Sequence, residues 1–178
     1  MTVLITTSRR PTRRMRTFIK ELERVIPSSK RIQRGKSSLT KLKDRMIMNG
    51  FDKLVVVEAY KGNPGRMIFY VLEEGRLKRK LIMNLMSVSM QIDVKKVFTA
   101  TELKVELDEN FSNDQELIRL KDFLDQFLRE EIIPEEREGI RCTLRISRKD
   151  NNISLCFLNS TTGRKIRPCF TAKVIWTD

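Results

Sequence analysis

Thr2-Val-Leu-Ile-Thr-Thr-Ser-Arg-Arg-Pro-Thr-Arg-Arg-Met-Arg-Thr-Phe18 passes from a strand pattern to a helix pattern across one short, arginine-rich loop. Residues 2–7 are largely β-branched and read as a strand. Pro11 suits the first turn of a helix. Met15, Phe18, Ile19, Leu22, Val25 and Ile26 then recur at helical spacing and define a buried stripe, which Pro27 and Ser28 end. A strand feeding a helix in this way indicates a mixed α/β chain. The charge at the junction is unusual. A helix start exposes unpaired N–H groups and a partial positive charge, so acids belong there, and each misplaced cation costs roughly 0.3–1 kcal/mol. Here Arg9, Arg10, Arg13, Arg14 and Arg16 precede the first acid, Glu21. Such a cluster makes sense around an anion, and the arginine fork suits phosphate.

Arg13, Arg16, Lys20 and Arg24 fall on the helix face opposite the apolar stripe. Spacing pairs Lys20 with Glu23 and Glu21 with Arg24, and supplies no local acid for the arginines at the helix start. A second basic segment, Lys30-Arg-Ile-Gln-Arg-Gly-Lys36, follows. Gly35 permits close backbone approach, so this segment reads as a phosphate-contacting loop. The sequence leaves open whether it lies at the same end of a sheet as the first helix start. The triplet Gly35-Lys36-Ser37 resembles part of a P-loop, but that motif needs a glycine where Lys30 stands.

Charge is distributed unevenly along the 178 residues, whose net charge is +13. Residues 1–50 carry +11, residues 51–110 carry +1, residues 111–140 carry −5 and residues 141–178 carry +6. A basic head of this kind points to a polyanion, most often nucleic acid. A 40% apolar content supports a packed core. With no histidine, and with Cys142, Cys156 and Cys169 far apart, a structural zinc site and a secreted disulfide scaffold are not expected. No signal-peptide pattern opens the chain, and no apolar run approaches the ~20 residues of a membrane span, so a soluble intracellular protein is expected.

The rest of the chain reads as follows. Ser37-Ser38 caps a second helix with Leu39, Leu42, Met46 and Ile47 inward, stopped by Asn49-Gly50. Lys53–Tyr60 and Arg66–Glu73 form a hairpin over the long turn Lys61-Gly-Asn-Pro-Gly65. Glu74-Gly75 turns the chain into an extended run, 78–90. Residues 94–108 are partly extended, and 108–112 read as a loop. Ser112 and Gln115 form a capping-box pattern, with Asp114 and Glu116 in the first turn of a helix whose stripe is Leu117, Leu120, Leu124, Phe127 and Leu128. This helix obeys the dipole rule that the first one breaks. Three strands close the chain, around 140–147, 153–158 and 166–176. Pro168 suggests an edge or a bulge. Arg141, Arg145, Lys165, Arg167 and Lys173 form either a second basic surface or an ordinary wet sheet face. The first half thus holds a strand, helices and three strands; the second holds an extended piece, a helix and three strands, without a residue-level repeat.

Catalysis has little to work with. Glu73-Glu74 and Glu130-Glu131 sit at a turn and a helix end, where solvation explains them, and no nucleophile motif is present. Neither an enzyme nor a cofactor is expected. Helix-turn-helix and zinc-finger patterns are absent, aromatics are only 7%, and no RNP-type aromatic pair is visible, so backbone and shape recognition of structured RNA is expected in place of base stacking.

Leu4-Ile-Thr-Thr-Ser-Arg-Arg-Pro-Thr-Arg-Arg-Met-Arg-Thr-Phe18, then Ile19-Lys-Glu-Leu22 and Arg34-Gly35, resembles the opening of the Brix domain. Glu58-Ala-Tyr-Lys-Gly-Asn-Pro-Gly65 is similar to that family's strand-to-turn segment. The resemblance implies a ribosome-biogenesis factor that binds ribosomal RNA or its precursor, assists rRNA processing and subunit assembly, and works beside other assembly proteins, with no membrane partner. It implies one domain over 1–178 with two similar halves, 1–92 and 93–178, each a mixed sheet with helices like the anticodon-binding domain of class II aminoacyl-tRNA synthetases. The chain begins and ends with the domain, as the minimal archaeal form does, which implies the cytoplasm; eukaryotic members work in the nucleolus. On this reading the RNA-binding residues are Arg9, Arg10, Arg13, Arg14, Arg16, Lys20, Lys30, Arg31, Arg34, Gly35 and Lys36. The competing reading is a structural ribosomal or tRNA-binding accessory protein.

Overall fold

The computed structural model describes residues 2–27, 29–90, 99–129 and 139–177. The fold is mixed α/β, and the chain divides into two compact units. The first comprises Met1–Glu23, Ser28–Leu85 and Val174–Asp178; the second comprises Arg24–Pro27 and Met86–Lys173.

The first unit contains strand β1 (Thr2–Thr7), helix α1 (Arg13–Val25), strand β2 (Ser29–Arg31), helix α2 (Leu39–Met48) and strands β3 (Phe51–Tyr60), β4 (Asn63–Glu73) and β5 (Arg76–Ser89). Its strands lie in the order β2-β1-β3-β4-β5. β1 runs parallel to both β2 and β3, whereas β4 is antiparallel to β3 and β5 to β4. The chain therefore leaves β1 toward β2 through α1, then crosses back over β1 to β3 through α2. Parallel crossovers are right-handed, so two crossovers in opposite directions put their helices on opposite faces of the sheet. Leu4, Leu54 and Val56 pack with Met46 of α2 in one buried cluster. Their neighbours Val3, Ile5, Val55 and Val57 point to the other face by strand alternation and are also buried. All six residues of the α1 stripe are buried.

Several boundaries differ from the sequence reading. Pro11 lies before α1, because Thr12 is the residue whose hydroxyl accepts the Met15 N–H at 3.3 Å. Ser38 caps α2 by accepting from the Lys41 N–H at 3.2 Å. Ile47, expected inward, is 52% exposed, since Leu42 and Met46 already fill the face that meets the sheet. The long turn after β3 contracts to Lys61-Gly62, both at positive φ (48° and 80°), the geometry of a tight two-residue hairpin. Asn63, Pro64 and Gly65 join β4 instead, and the register slips between Glu58 and Ala59.

The second unit contains β6 (Ala100–Leu107), a 3-10 turn at Glu109–Phe111, α3 (Gln115–Leu128) and strands β7 (Ile140–Lys149), β8 (Asn152–Asn159) and β9 (Lys165–Trp176), whose last residues belong to the first unit. The strand order is β9-β8-β7-β6. β6 and β7 are parallel, and the β7–β8 and β8–β9 pairs are antiparallel. The expected stripe of α3 is buried. Its cap is Asp114 and not Ser112: the Asp114 carboxylate accepts the Leu117 N–H at 3.1 Å. Arg148 on β7 clamps that carboxylate at 2.8 and 3.2 Å and also reaches Glu116. The Arg148 guanidinium holds the Asp114 carboxyl below its ordinary pKa. A partner 34 residues away cannot be read from a capping pattern.

Pro168 sits at a register slip: Cys156 pairs with Cys169, but Phe157 pairs with Ile166. The same register joins Cys156 and Cys169 as a disulfide, a pairing the sequence spacing did not suggest. Cys142 is buried and unbridged, and burial pushes its thiol up to about 11. Residues 94–98 and Glu130-Glu131 lie outside the described residues.

Candidate nucleic-acid interface

Parallel pairing settles the question that the sequence left open. β1, β2 and β3 point the same way, so the loops that follow them leave from one end of the sheet. The Ile32 N–H bonds to the Ile5 carbonyl and the Ser8 N–H to the Val57 carbonyl, each at 2.9 Å, which holds the three strand ends level. The loop after β1 turns to α1 on one face; the loop after β2 turns to α2 on the other. Adjacent parallel strands whose loops diverge in this way open a crevice at their carboxyl ends, where open α/β sheets bind ligands.

Arginines lie on both loops. Arg9 and Arg10 are exposed in the first loop, and Arg13, Arg14 and Arg16 are exposed on the first turn of α1, which holds no acid. Among the described residues, none of these five makes an ion pair. Arg16 reaches back to the Pro11 carbonyl at 3.0 Å and so fixes the loop that carries Arg9 and Arg10. In the second loop, the Arg34 Nε donates to the Ser37 carbonyl at 3.0 Å while the Ser37 N–H donates to the Arg34 carbonyl at 3.1 Å. Gly35, at φ 57°, forms the exposed corner of that turn, and Lys36 beside it is exposed. Burial lowers the pKa of Arg34, and the positive charge of Arg9 lowers it further, against the opposing pull of Glu58 and Tyr70. The two arginines stand on different loops that leave the same end of the sheet.

Other residues of the expected set stand apart. Lys20 is exposed, but two turns along α1 from Arg13, about 10 Å at 1.5 Å per residue. Lys30 lies within β2, the edge strand of this unit, where a lysine also discourages pairing by a foreign strand. The sequence placed Arg31 in a loop and paired Glu23 with Lys20. Instead Arg31 ends β2, and Glu23 accepts both its backbone N–H at 2.8 Å and its Nε at 3.2 Å. Its charge is therefore largely satisfied within the protein.

The β3–β4 hairpin, expected from the sequence, adds a third component at this end that the sequence did not place there. The Thr12 hydroxyl, which caps α1, also donates to the Gly62 carbonyl at 2.7 Å. On the same sheet face as Val56 lie Glu58 and, opposite it, Arg66, paired at 3.5 Å; Arg66 also bonds Asn84 at 3.2 Å.

The possible second basic surface is divided by acids and bonds. Arg141 pairs with Glu102 at 3.3 Å, and Arg145 stands opposite Glu106 in the β6–β7 register, where Glu106 also takes Lys104 at 2.6 Å. These five residues line a hollow of about 280 Å³ whose charges alternate. Arg167 donates to the Ser89 hydroxyl, while Lys165 and Lys173 are exposed. In the β6–β7 part of this surface, basic and acidic side chains alternate. Among the described residues, no group of three or more histidine, cysteine or acidic side chains is arranged to hold a metal ion. No described helix is long and apolar enough to cross a membrane.

A mixed α/β protein with two arginine-bearing loops at one end of its parallel strands is thus defined, and comparison with known proteins supplies its family. No family model matches the chain. A Methanococcus maripaludis protein named "Probable Brix domain-containing ribosomal biogenesis protein" is 31% identical over 127 residues, 71% of this chain and 68% of the relative. At that coverage the chain belongs to the Brix domain-containing ribosomal biogenesis proteins. A Pyrococcus horikoshii protein of the same name is 46% identical over 67 residues, 38% of this chain; that match spans about 30% of the Pyrococcus protein's own length. The crystal structure of a probable ribosomal biogenesis protein from Aeropyrum pernix K1 shares the fold, with a TM-score of 0.74 at 24% identity, over 96% of this chain and 94% of that one.

Proposed function

We propose that this chain is a non-catalytic ribosome-assembly factor of the archaeal type, acting in the cytoplasm, that binds ribosomal RNA or its precursor at the carboxyl ends of β1 and β2. The observation that carries this reading is that the loops after β1 and β2 leave the same end of parallel strands, with Arg9, Arg10, Arg13, Arg14 and Lys36 exposed on them or on the helix start that follows. A cluster of exposed arginines whose helix start holds no acid is an electrostatic footprint for phosphates. The family's name points to the ribosome as the setting, with other assembly proteins as further partners. The order of one parallel and two antiparallel pairings along β1-β3-β4-β5, met again along β6-β7-β8-β9, supports reading the chain as two copies of one anticodon-binding-domain-like unit within a single Brix domain, 1–178, with approximate halves 1–92 and 93–178.

Binding to a fragment of ribosomal precursor RNA, titrated against salt, tests the reading. If roughly six phosphates are contacted, log K should fall against log salt with a slope of about −4 to −5. Affinity that barely changes between low and moderate salt contradicts a phosphate-dominated site. In a sedimentation gradient, an assembly factor travels with precursor particles; co-migration with mature subunits supports the structural ribosomal reading instead.

A further inference from the structure

We infer that Tyr60 is a base-stacking platform at the edge of the cationic crevice, so that the bound RNA presents at least one unpaired base there. The inference rests on the RNA-binding reading above and specifies what kind of RNA the site takes.

Tyr60 is 67% exposed, an unusual setting for an aromatic ring in a chain whose other tyrosine, Tyr70, packs against the Leu4–Met46 cluster. It is the last residue of β3. It lies two residues beyond Glu58, which pairs with Arg66 at 3.5 Å and acts on Arg34. The hairpin that carries it is held in place twice. Its tip is bonded to the cap of α1 through the Thr12 hydroxyl and the Gly62 carbonyl at 2.7 Å. Its base is shaped around Tyr60 by Gly65, where a Cβ would come within 2.3 Å of the Tyr60 Cβ and 2.9 Å of its backbone nitrogen. The ring is thus presented by rigid backbone and not by a loose loop. Lys61 lies with its Nζ 5.5 Å from the ring centroid and adds a cation at the same spot.

Sequence-tolerant binding of single-stranded nucleic acid combines a cationic track with an aromatic face on which a base stacks. The crevice supplies the track and Tyr60 supplies the face. A continuous duplex would present only phosphate and sugar here, and the ring would contribute nothing. This departs from the expectation, drawn from low aromatic content and the lack of an RNP-type aromatic pair, that backbone and shape recognition takes the place of base stacking.

The test compares an oligoadenylate with an abasic ribose-phosphate strand of equal length at one salt concentration. The proteins are the native chain, Tyr60→Ala, Tyr60→Phe and Arg13→Ala. Tyr60→Ala should weaken oligoadenylate binding roughly 5- to 100-fold, the range for loss of one stacked base. It should leave the abasic strand unchanged, and Tyr60→Phe should retain the native preference. Arg13→Ala should weaken both strands. Unchanged oligoadenylate binding by Tyr60→Ala, with both strands weakened by Arg13→Ala, overturns the stacking inference and leaves the RNA reading standing. Equal weakening of both strands by Tyr60→Ala also overturns it, because the ring then acts through the backbone track. If the native chain binds neither strand, both readings fall.

Discussion

Replacing Arg13 and Arg14 together with glutamate is expected to abolish most RNA affinity while leaving the protein as stable as before, or more so. Both side chains are exposed on the first turn of α1, where no acid stands and, among the described residues, no ion pair holds them. Each charge-assisted contact to phosphate is worth roughly 1.5–3 kcal/mol, so losing two and adding repulsion should weaken binding by about 100-fold or more. The folded chain alone gains from the exchange. Acids at a helix start complement the unpaired N–H groups, by roughly 0.3–1 kcal/mol per site. Affinity from a filter-binding or anisotropy titration, set against the urea midpoint of the same variant, separates the two effects. A variant that binds RNA normally removes the helix start from the site. A variant that loses stability means these arginines serve the fold.

The opposite pattern is expected at Phe18. Its ring is fully buried on the stripe of α1. Truncation to alanine removes apolar burial and leaves a cavity, at a cost of about 3–5 kcal/mol. Domains of this size hold only about 5–15 kcal/mol in total, so Phe18→Ala should lower the urea midpoint by a large fraction. The slope of the transition should change little, since the surface exposed on unfolding is nearly the same. A loss below about 1 kcal/mol would mean that the stripe is not packed as described. Positions 13 and 18 lie on one helix, yet one should govern binding and the other folding.

Much of this division was legible in the chain. The stripes of α1 and α3 rest on long periodic runs, and every residue expected inward on those two helices is buried. Short elements carry no period. β2 has three residues, and nothing in Ser29-Lys30-Arg31 marks a strand; it exists because it pairs in parallel with β1. That one missed strand determines the site, because the order β2-β1-β3 is what sends two basic loops to opposite faces from one end. Composition exposed the basic loops, but their meeting depends on parallel pairing and crossover handedness, which are properties of the assembled sheet. The same holds for the partners of single charges. Glu23 takes Arg31 and Asp114 takes Arg148, both beyond the three- or four-residue reach of a helix pattern. Tyr60 was passed over because its significance lies in what surrounds it: the α1 cap that holds its hairpin and the arginines nearby.

On the proposed reading, RNA lies across the carboxyl ends of β1 and β2. Ultraviolet crosslinking of the native chain to ribosomal precursor RNA, followed by mass spectrometry of the nucleotide-bearing peptides, locates it. Crosslinks should fall in the peptides that span residues 8–16 and 30–37, on the two divergent loops. Crosslinks confined to β6–β9, with none in those two peptides, would place the RNA elsewhere and overturn this reading.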